Sequence, residues 1–256
     1  MISVSTDPRG DGRMPLRQHL DELRGCLLRS FGVVLALFLL GTTANEPLVR
    51  LLIVPWDAAR DAIVAGGYAD PGKLVYIGPA EPFMVVLKAA FLVALIAGSP
   101  YVLYEVWRFV AAGLYPHERS AVMRSLPFAF LLMALGMLFG FLVLLPLGLR
   151  FLGTLVDPGL IASSVTFGAY FSLLITMTIL MGAVFELPLL MWLVVRAGLV
   201  RVETLASSRK AAILACLVFG AVMTPPDVVT QFLVAVPMIV LYEIGLIVAR
   251  RSVSRP

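Results

Sequence analysis

Long apolar runs separated by short polar segments dominate this chain of 256 residues. A helix needs about 20 mostly apolar residues to cross a bilayer, and six runs approach or exceed that length. They cover residues 27–44, 83–104, 126–149, 167–195, 205–223 and 228–249. The pattern therefore predicts an all-α membrane protein with six transmembrane helices, in a single membrane domain that comprises residues 1–256.

The fifth run is the weakest of the six. Its uncharged part, residues 211–223, is short, and extension back to Leu205 brings in Arg209 and Lys210. Basic side chains near a helix end can place their charged groups at the membrane surface. Local thinning of the bilayer also accommodates a short span. We therefore expect a short fifth span.

The segment before the first run has an amphipathic pattern, with leucines on one helical face and polar side chains on the other. The leucines are Leu16, Leu20, Leu23 and Leu27, and the polar residues are Gln18, Asp21 and Glu22. Residues 14–25 are therefore predicted to form an interfacial helix, from which the chain turns into the bilayer.

The composition excludes an ordinary soluble domain, because 60% of the residues are hydrophobic and only 14% are charged, whereas soluble domains have ~25% charged residues. With six spans, fifteen of the 20 basic residues lie on the side that holds both termini. The other five are Arg50, Arg60, Lys73, Lys88 and Arg150. Since basic loops remain in the cytoplasm, both termini are predicted to be cytoplasmic.

The first outside segment, residues 45–82, is the longest one between two runs. Its short apolar stretches at 48–56 and 58–65 are interrupted at Pro55 and by charged residues. Glycines and prolines then mark turns. This segment is predicted to form short helices on the outer surface, as a periplasmic cap.

Glu186 is a carboxylate deep in the fourth run, within Val184-Phe185-Glu186-Leu187-Pro188. Ionisable groups inside a membrane are costly and are functional candidates by default. A hydrogen bond between helices is the structural alternative; the functional interpretation is favoured for Glu186, and the hydrogen bond for Gln231 and Glu243 in the sixth run.

Enzyme chemistry has little support in the sequence. His19 and His117 lack ligand-type neighbours at metal spacing, and no nucleophile elbow is present. We expect no enzyme activity, no cofactor, no metal and no nucleic acid. Acidic residues around Glu22 and between Glu105 and Glu118 instead favour a cationic ligand, because a carboxylate can bind a guanidinium in fork geometry.

Six segments in this order resemble the TatC family, the multi-span receptor subunits of the twin-arginine protein translocase. The segments are His19-Leu20-Asp21-Glu22-Leu23-Arg24, Glu81-Pro82-Phe83, Tyr104-Glu105-Val106-Trp107-Arg108-Phe109 with Gly113-Leu114-Tyr115-Pro116-His117-Glu118-Arg119, Phe185-Glu186-Leu187-Pro188, Thr224-Pro225-Pro226-Asp227, and Leu241-Tyr242-Glu243-Ile244-Gly245.

The resemblance implies a core receptor of the bacterial cytoplasmic (inner) membrane that binds twin-arginine signal peptides of folded cargo proteins. It implies export driven by the proton-motive force, assembly with small single-span partner subunits of the TatA/TatB type, and a homo-oligomer within the complex. By position, Glu22 and Glu118 match the carboxylates for the arginine pair.

The other implied site residues fall into two groups. Those that shape the signal-peptide patch are Arg24, Phe109, Tyr115 and Glu105, the last of which stands where glutamine is common in the family. Those that contact partner subunits are Glu186, Thr224, Asp227 and Gln231. The alternative function is a proton-coupled small-solute carrier that uses Glu186.

Overall fold

The computed structural model describes residues 16–113, 116–155, 165–224 and 227–253. These residues form ten α-helices and one π-helical segment. The helices are α1 Leu16–Gly41, α2 Asn45–Ala65, α3 Glu81–Ala112, α4 Pro116–Phe139, α5 Leu145–Thr154, α6 Phe167–Phe185, α7 Leu187–Arg196, α8 Val202–Ser207, α9 Arg209–Met223 and α10 Val228–Val253; the π-helix is Gly140–Leu144. The predicted all-α class is confirmed for the described residues, whose one extended pairing is the isolated bridge between Val75 and Thr166.

Five stretches of the described chain are long and apolar enough to cross a membrane. They are Arg17–Gly41, Glu81–Ala112, Arg119–Thr154, Phe167–Arg196 and Val228–Arg251, and they match five of the six predicted spans. Helix α9 corresponds to the fifth run. It has 15 residues and is therefore about 22 Å long, less than the ~30 Å of a hydrocarbon layer, and a break at Ser208 separates it from α8. The fifth predicted span, which corresponds to α9, therefore stays a prediction.

The first helix differs from the expectation of an interfacial helix followed by a turn. Helix α1 runs without a break from Leu16 to Gly41, so the amphipathic segment and the first apolar run are one element. The segment between them contains no proline, and a single Gly25 does not end a helix whose backbone hydrogen bonds continue on both sides.

Consecutive long helices alternate in direction, which gives the bundle two ends. We call the end where α1 begins the N-terminal end; α3 ends there and α4 begins there. The opposite end holds α2, the start of α6 and the turn between α9 and α10. Helices α6 and α7 lie nearest the centre, since 44% of their most apolar window is buried, compared with 6% for α1.

Two glycines in α4 and the π-helix allow a close contact with α6. A Cβ atom added to Gly136 would lie 2.4 Å from the Met181 carbonyl oxygen, and one added to Gly140 would lie 2.5 Å from the Met177 carbonyl oxygen. Small residues four apart let membrane helices approach at backbone distance. The pair Gly136 and Gly140 thus fixes α4 against the central helix α6.

Residues 45–65 form one long helix, α2, with Pro55 inside it, rather than the short helices predicted for this part of the segment between the first two runs. The Tyr170 hydroxyl of α6 donates a hydrogen bond to the Leu52 carbonyl of α2 at 2.7 Å. The Glu81 carboxylate accepts from the backbone amides of Ile77 and Gly168. These contacts tie α2 and its following loop to α3 and α6.

We expect Gly140→Ala to destabilise the bundle by about 1–3 kcal/mol, because the new methyl group would overlap a backbone oxygen that cannot move independently. Thermal unfolding in detergent measures the change. Gly32→Ala in α1 is the matched control, since nothing lies within 4 Å of its added Cβ. Equal melting temperatures for the two variants would contradict the close contact.

A surface ion pair between Arg60 of α2 and Asp70 of the loop that follows has a defined pH response. The Arg60 guanidinium forks onto both carboxylate oxygens of Asp70 and, with the Gly72 amide, lowers the pKa of Asp70 to about 2. A carboxyl with a depressed pKa in the folded state stabilises it above its unfolded pKa of about 4. This contribution is lost as the pH falls from about 4 towards 2.

Asp70→Asn should therefore lower the unfolding temperature at pH 7 and flatten its decrease between pH 4 and pH 2. Thermal melts across this pH range measure both effects. Glu203→Gln, a change of an exposed carboxylate in α8, should leave the curve unchanged. If the unfolding temperature of Asp70→Asn changes with pH in the same way as that of the unmodified chain, the ion pair of Arg60 and Asp70 does not cause the pH dependence.

Candidate functional site

The N-terminal motif lies against the last turns of α3. The His19 ring stacks on the Phe109 ring with centroids 4.3 Å apart. A Cβ atom at Gly113 would lie 3.3 Å from His19 Cε1, so the small residue there leaves room for the imidazole. This contact brings Glu22, which is half-buried, and the exposed Arg24 to the N-terminal end of the bundle.

Glu105 has a partner within the chain that the sequence did not reveal. Arg29 donates from Nε and Nη2 to the two carboxylate oxygens at 3.0 and 2.8 Å. The Tyr101 hydroxyl donates to the same carboxylate at 3.2 Å, and Arg108 lies 3.6 Å away. The Glu105 side chain is 2% exposed, so in this structure its carboxylate is engaged rather than open to a ligand.

The predicted signal-peptide residues fall at one end of the bundle as far as they are described. Glu22, Arg24, Glu105 and Phe109 lie on the first turns of α1 and the last turns of α3. Glu118 belongs to the first turn of α4, which starts three residues after Gly113. Tyr115 and the side chain of Glu118 lie outside the described residues.

The predicted partner contacts Thr224, Asp227 and Gln231 flank the turn between α9 and α10 at the opposite end. Asp227 caps α10, since its carboxylate accepts from the Thr230 amide at 2.7 Å and from the Thr230 hydroxyl. Thr224 donates to the Gly220 carbonyl at 2.9 Å. Gln231 donates to the Leu217 carbonyl at 3.0 Å. The Gln231 bond thus joins α10 to α9, whereas the Thr224 and Asp227 bonds finish the ends of their own helices.

Glu186 stands at the break between α6 and α7. It ends one helix and precedes the other, as expected from Pro188, which lacks a backbone donor. The residue is 6% exposed. Within the described part of the chain, neither carboxylate oxygen has a hydrogen-bond partner. The alternative of a hydrogen bond to another helix of this chain is therefore not realised among the described residues.

A second ion pair that the sequence did not reveal joins α9 to α10. Arg209 donates from Nε and Nη2 to the Glu243 carboxylate at 2.8 and 3.1 Å. The Tyr242 hydroxyl donates to the Leu205 carbonyl at 2.7 Å. These bonds hold the start of the short α9, and α8 before it, against the middle of α10.

Removing either partner of this pair should lower the unfolding temperature, because the remaining charge loses its counter-ion near the apolar layer. A double-mutant cycle with Arg209→Gln and Glu243→Gln should give a coupling free energy of about 1 kcal/mol. The same cycle on the exposed pair of Glu46 and Arg50, both more than three-quarters exposed, should give nearly zero. Equal couplings in the two cycles would show that Arg209 and Glu243 do not act as a pair.

These features define a multi-span helical membrane protein whose acidic and aromatic groups gather at one end and whose polar hairpin lies at the other. No group of three or more His, Cys, Asp or Glu residues placed to hold a metal ion occurs among the described residues.

Comparison with known proteins identifies the family. The family model "Sec-independent protein translocase protein (TatC)" matches residues 18–237. The TatC protein of Azotobacter chroococcum is 35% identical over 97% of this chain and 94% of its own length, and that of Escherichia coli K12 is 32% identical over 94% and 90%. A crystal structure of the twin-arginine translocase receptor TatC superposes with a TM-score of 0.79 at 32% identity, over 92% of this chain and 99% of that one.

The chain belongs to the TatC family, which confirms the resemblance found in the sequence. It is a Sec-independent protein translocase subunit with multiple membrane helices, and its role is protein transport by the twin-arginine route. The comparisons give no support to the alternative of a small-solute carrier.

Proposed function

We propose that this chain is the receptor that binds the paired arginines of signal peptides on folded cargo proteins. The observation that carries the proposal is the distribution of carboxylates at the N-terminal end. Glu105 is neutralised by Arg29, whereas Glu22 has no ion pair among the described residues. We therefore assign Glu22 and, by its position at the start of α4, Glu118 as the acidic groups for a ligand.

Two carboxylates at one end suit two adjacent guanidinium groups. Each guanidinium presents parallel N–H donors that match a carboxylate, whereas a lysine ammonium is a single point charge. The proposed site therefore distinguishes Arg-Arg from Lys-Lys although both pairs carry the same charge. Phe109 and Tyr115 would line the site with aromatic surface, and the exposed Arg24 would keep its net charge low.

The proposed setting is the bacterial cytoplasmic membrane, with both termini in the cytoplasm. The excess of basic residues on the terminal side supports this orientation. Signal peptides would then reach Glu22 and Glu118 from the compartment in which cargo proteins are made and folded. The proposal includes a homo-oligomer within the complex and export driven by the proton-motive force, as the family implies.

We also propose that small single-span subunits of the TatA/TatB type dock at two places. The first place is the turn between α9 and α10, which is flanked by Thr224, Asp227 and Gln231. The buried Glu186 carboxyl lacks a hydrogen-bond partner among the described residues, and an unpartnered acid in an apolar surrounding favours a helix that brings a polar side chain.

Glu22→Gln and Glu118→Gln should each weaken binding of a fluorescent Arg-Arg signal peptide by about 10- to 100-fold. This range corresponds to one hydrogen bond to a charged group, about 1.5–3 kcal/mol. Fluorescence anisotropy with the chain in nanodiscs measures the affinity, and thermal melts check the fold.

Asp21→Asn is the matched control, because Asp21 is an exposed carboxylate next to Glu22, and its side chain leaves the helix about 100° around the axis from that of Glu22. Its affinity should stay within about twofold of the unmodified chain. Unaltered affinity of the Glu22→Gln, Glu118→Gln double variant would rule out these carboxylates as the site.

A further inference from the structure

Helix α1 packs mainly against α3, in an antiparallel arrangement along almost its whole length. At the opposite end, a Cβ atom on Gly41 would lie 3.3 Å from Ala90 Cβ. In the middle, Gly98 of α3 leaves room for Val34 and Leu37. Apart from the ion pair of Arg29 and the ring stack of His19, the contacts described here are apolar.

Apolar contacts alone do little to fix the rotation of α1 about its own axis relative to α3. Lipid chains are as apolar as leucine side chains, so exchange of lipid for protein contacts gives little preference for one helix rotation. A bidentate guanidinium–carboxylate pair is directional, because both N–H donors must meet both oxygens. Among the described contacts between α1 and α3, the bidentate pair of Arg29 and Glu105 is therefore the one that most strongly selects a rotation and a register.

The rotation of α1 determines where Glu22 lies. Glu22 precedes Arg29 by seven residues, which is nearly two full turns and about 10.5 Å along the axis. The two side chains therefore share one face of α1. When Arg29 faces Glu105 on α3, Glu22 faces the end of α3, beside the stack of His19 on Phe109.

The same pair removes a competing acidic group from the site. Without Arg29, Glu105 would keep only Arg108 at 3.6 Å and Tyr101 at 3.2 Å among the partners described. A carboxylate that is 2% exposed and short of counter-charge attracts any guanidinium that reaches it. Such a guanidinium would lie about two helical turns from Glu22, away from the proposed site.

We propose that the ion pair of Arg29 and Glu105 is a positioning latch, which fixes the rotation of α1 on α3 so that Glu22 faces the incoming signal peptide. The inference rests on the proposed function, since it assigns the latch to the same binding site. Arg29 and Glu105 are positioning residues and do not touch the peptide.

The test compares binding of Arg-Arg and Lys-Lys signal peptides to the full chain in nanodiscs. For Arg29→Ala and Glu105→Ala, we expect Arg-Arg affinity to fall at least tenfold and the ratio of the two affinities to approach one. The exchange variant Arg29→Glu, Glu105→Arg restores the pair in reverse and should recover at least half of the lost ratio. Arg50→Ala, which removes an arginine from an exposed ion pair in α2, is the control and should change neither affinity.

Arg29→Lys addresses the case in which the alanine variants do not fold. Arg29→Lys keeps a positive charge next to Glu105 but loses the bidentate geometry. Its melting temperature should therefore stay within about 2 °C of that of the unmodified chain, while the ratio of its Arg-Arg to its Lys-Lys affinity falls at least threefold. A purely stabilising role would lower melting temperatures and leave the preference unchanged. If Arg29→Lys and Glu105→Ala both keep the affinity ratio of the unmodified chain, the ion pair does not position Glu22. If the unmodified chain does not prefer Arg-Arg over Lys-Lys, the proposed function fails instead.

Discussion

The requirement that charges in an apolar layer be paired governs this structure. Arg29 and Glu105 meet across α1 and α3, although they are 76 positions apart in sequence. Arg209 and Glu243 join α9 to α10. The Lys88 ammonium of α3 donates to the Ser172 hydroxyl of α6 at 2.9 Å. Since an isolated charge costs far more in lipid than in water, each pair restricts how two helices can rotate and slide against each other.

Glu186 departs from this rule. Its carboxyl is buried at a break between two helices and has no hydrogen-bond partner among the described residues. A group that costs stability and is not compensated within the chain is a functional candidate. In a translocase subunit, the proposed compensation is a donor on a partner helix, so the cost would be relieved only in the assembled complex.

The length and apolar character of the runs were sufficient to predict the class of fold and five of its spans. The interfacial helix was predicted wrongly, because an amphipathic pattern shows which face is apolar but not whether the helix ends. Leu27 belongs both to the leucine face of the amphipathic segment and to the first apolar run, so the helix continues through it. Gly136 and Gly140 are four residues apart, a spacing that indicates close helix packing. The sequence analysis did not use this signal for the contact with α6.

The candidate site was predictable only in part. The described residues of the predicted acidic clusters lie together at one end of the bundle, but the sequence could not distinguish a free carboxylate from a paired one. Glu105 and Glu22 look alike as single residues. The packing of α1 on α3 shows that Arg29 pairs with Glu105. The two residues are too far apart in sequence for a local pattern to reveal the pair. The partner of Glu243 was hidden for the same reason.

If carboxylates at the N-terminal end recognise a pair of guanidinium groups, the chain should discriminate between cargo proteins whose signals differ only in Arg-Arg or Lys-Lys. Copurification of this chain from membranes with such matched cargo proteins measures the discrimination. We expect retention of the Arg-Arg cargo and loss of the Lys-Lys cargo at equal expression. Equal retention of both would contradict this expectation, because charge alone and not guanidinium geometry would then govern recognition.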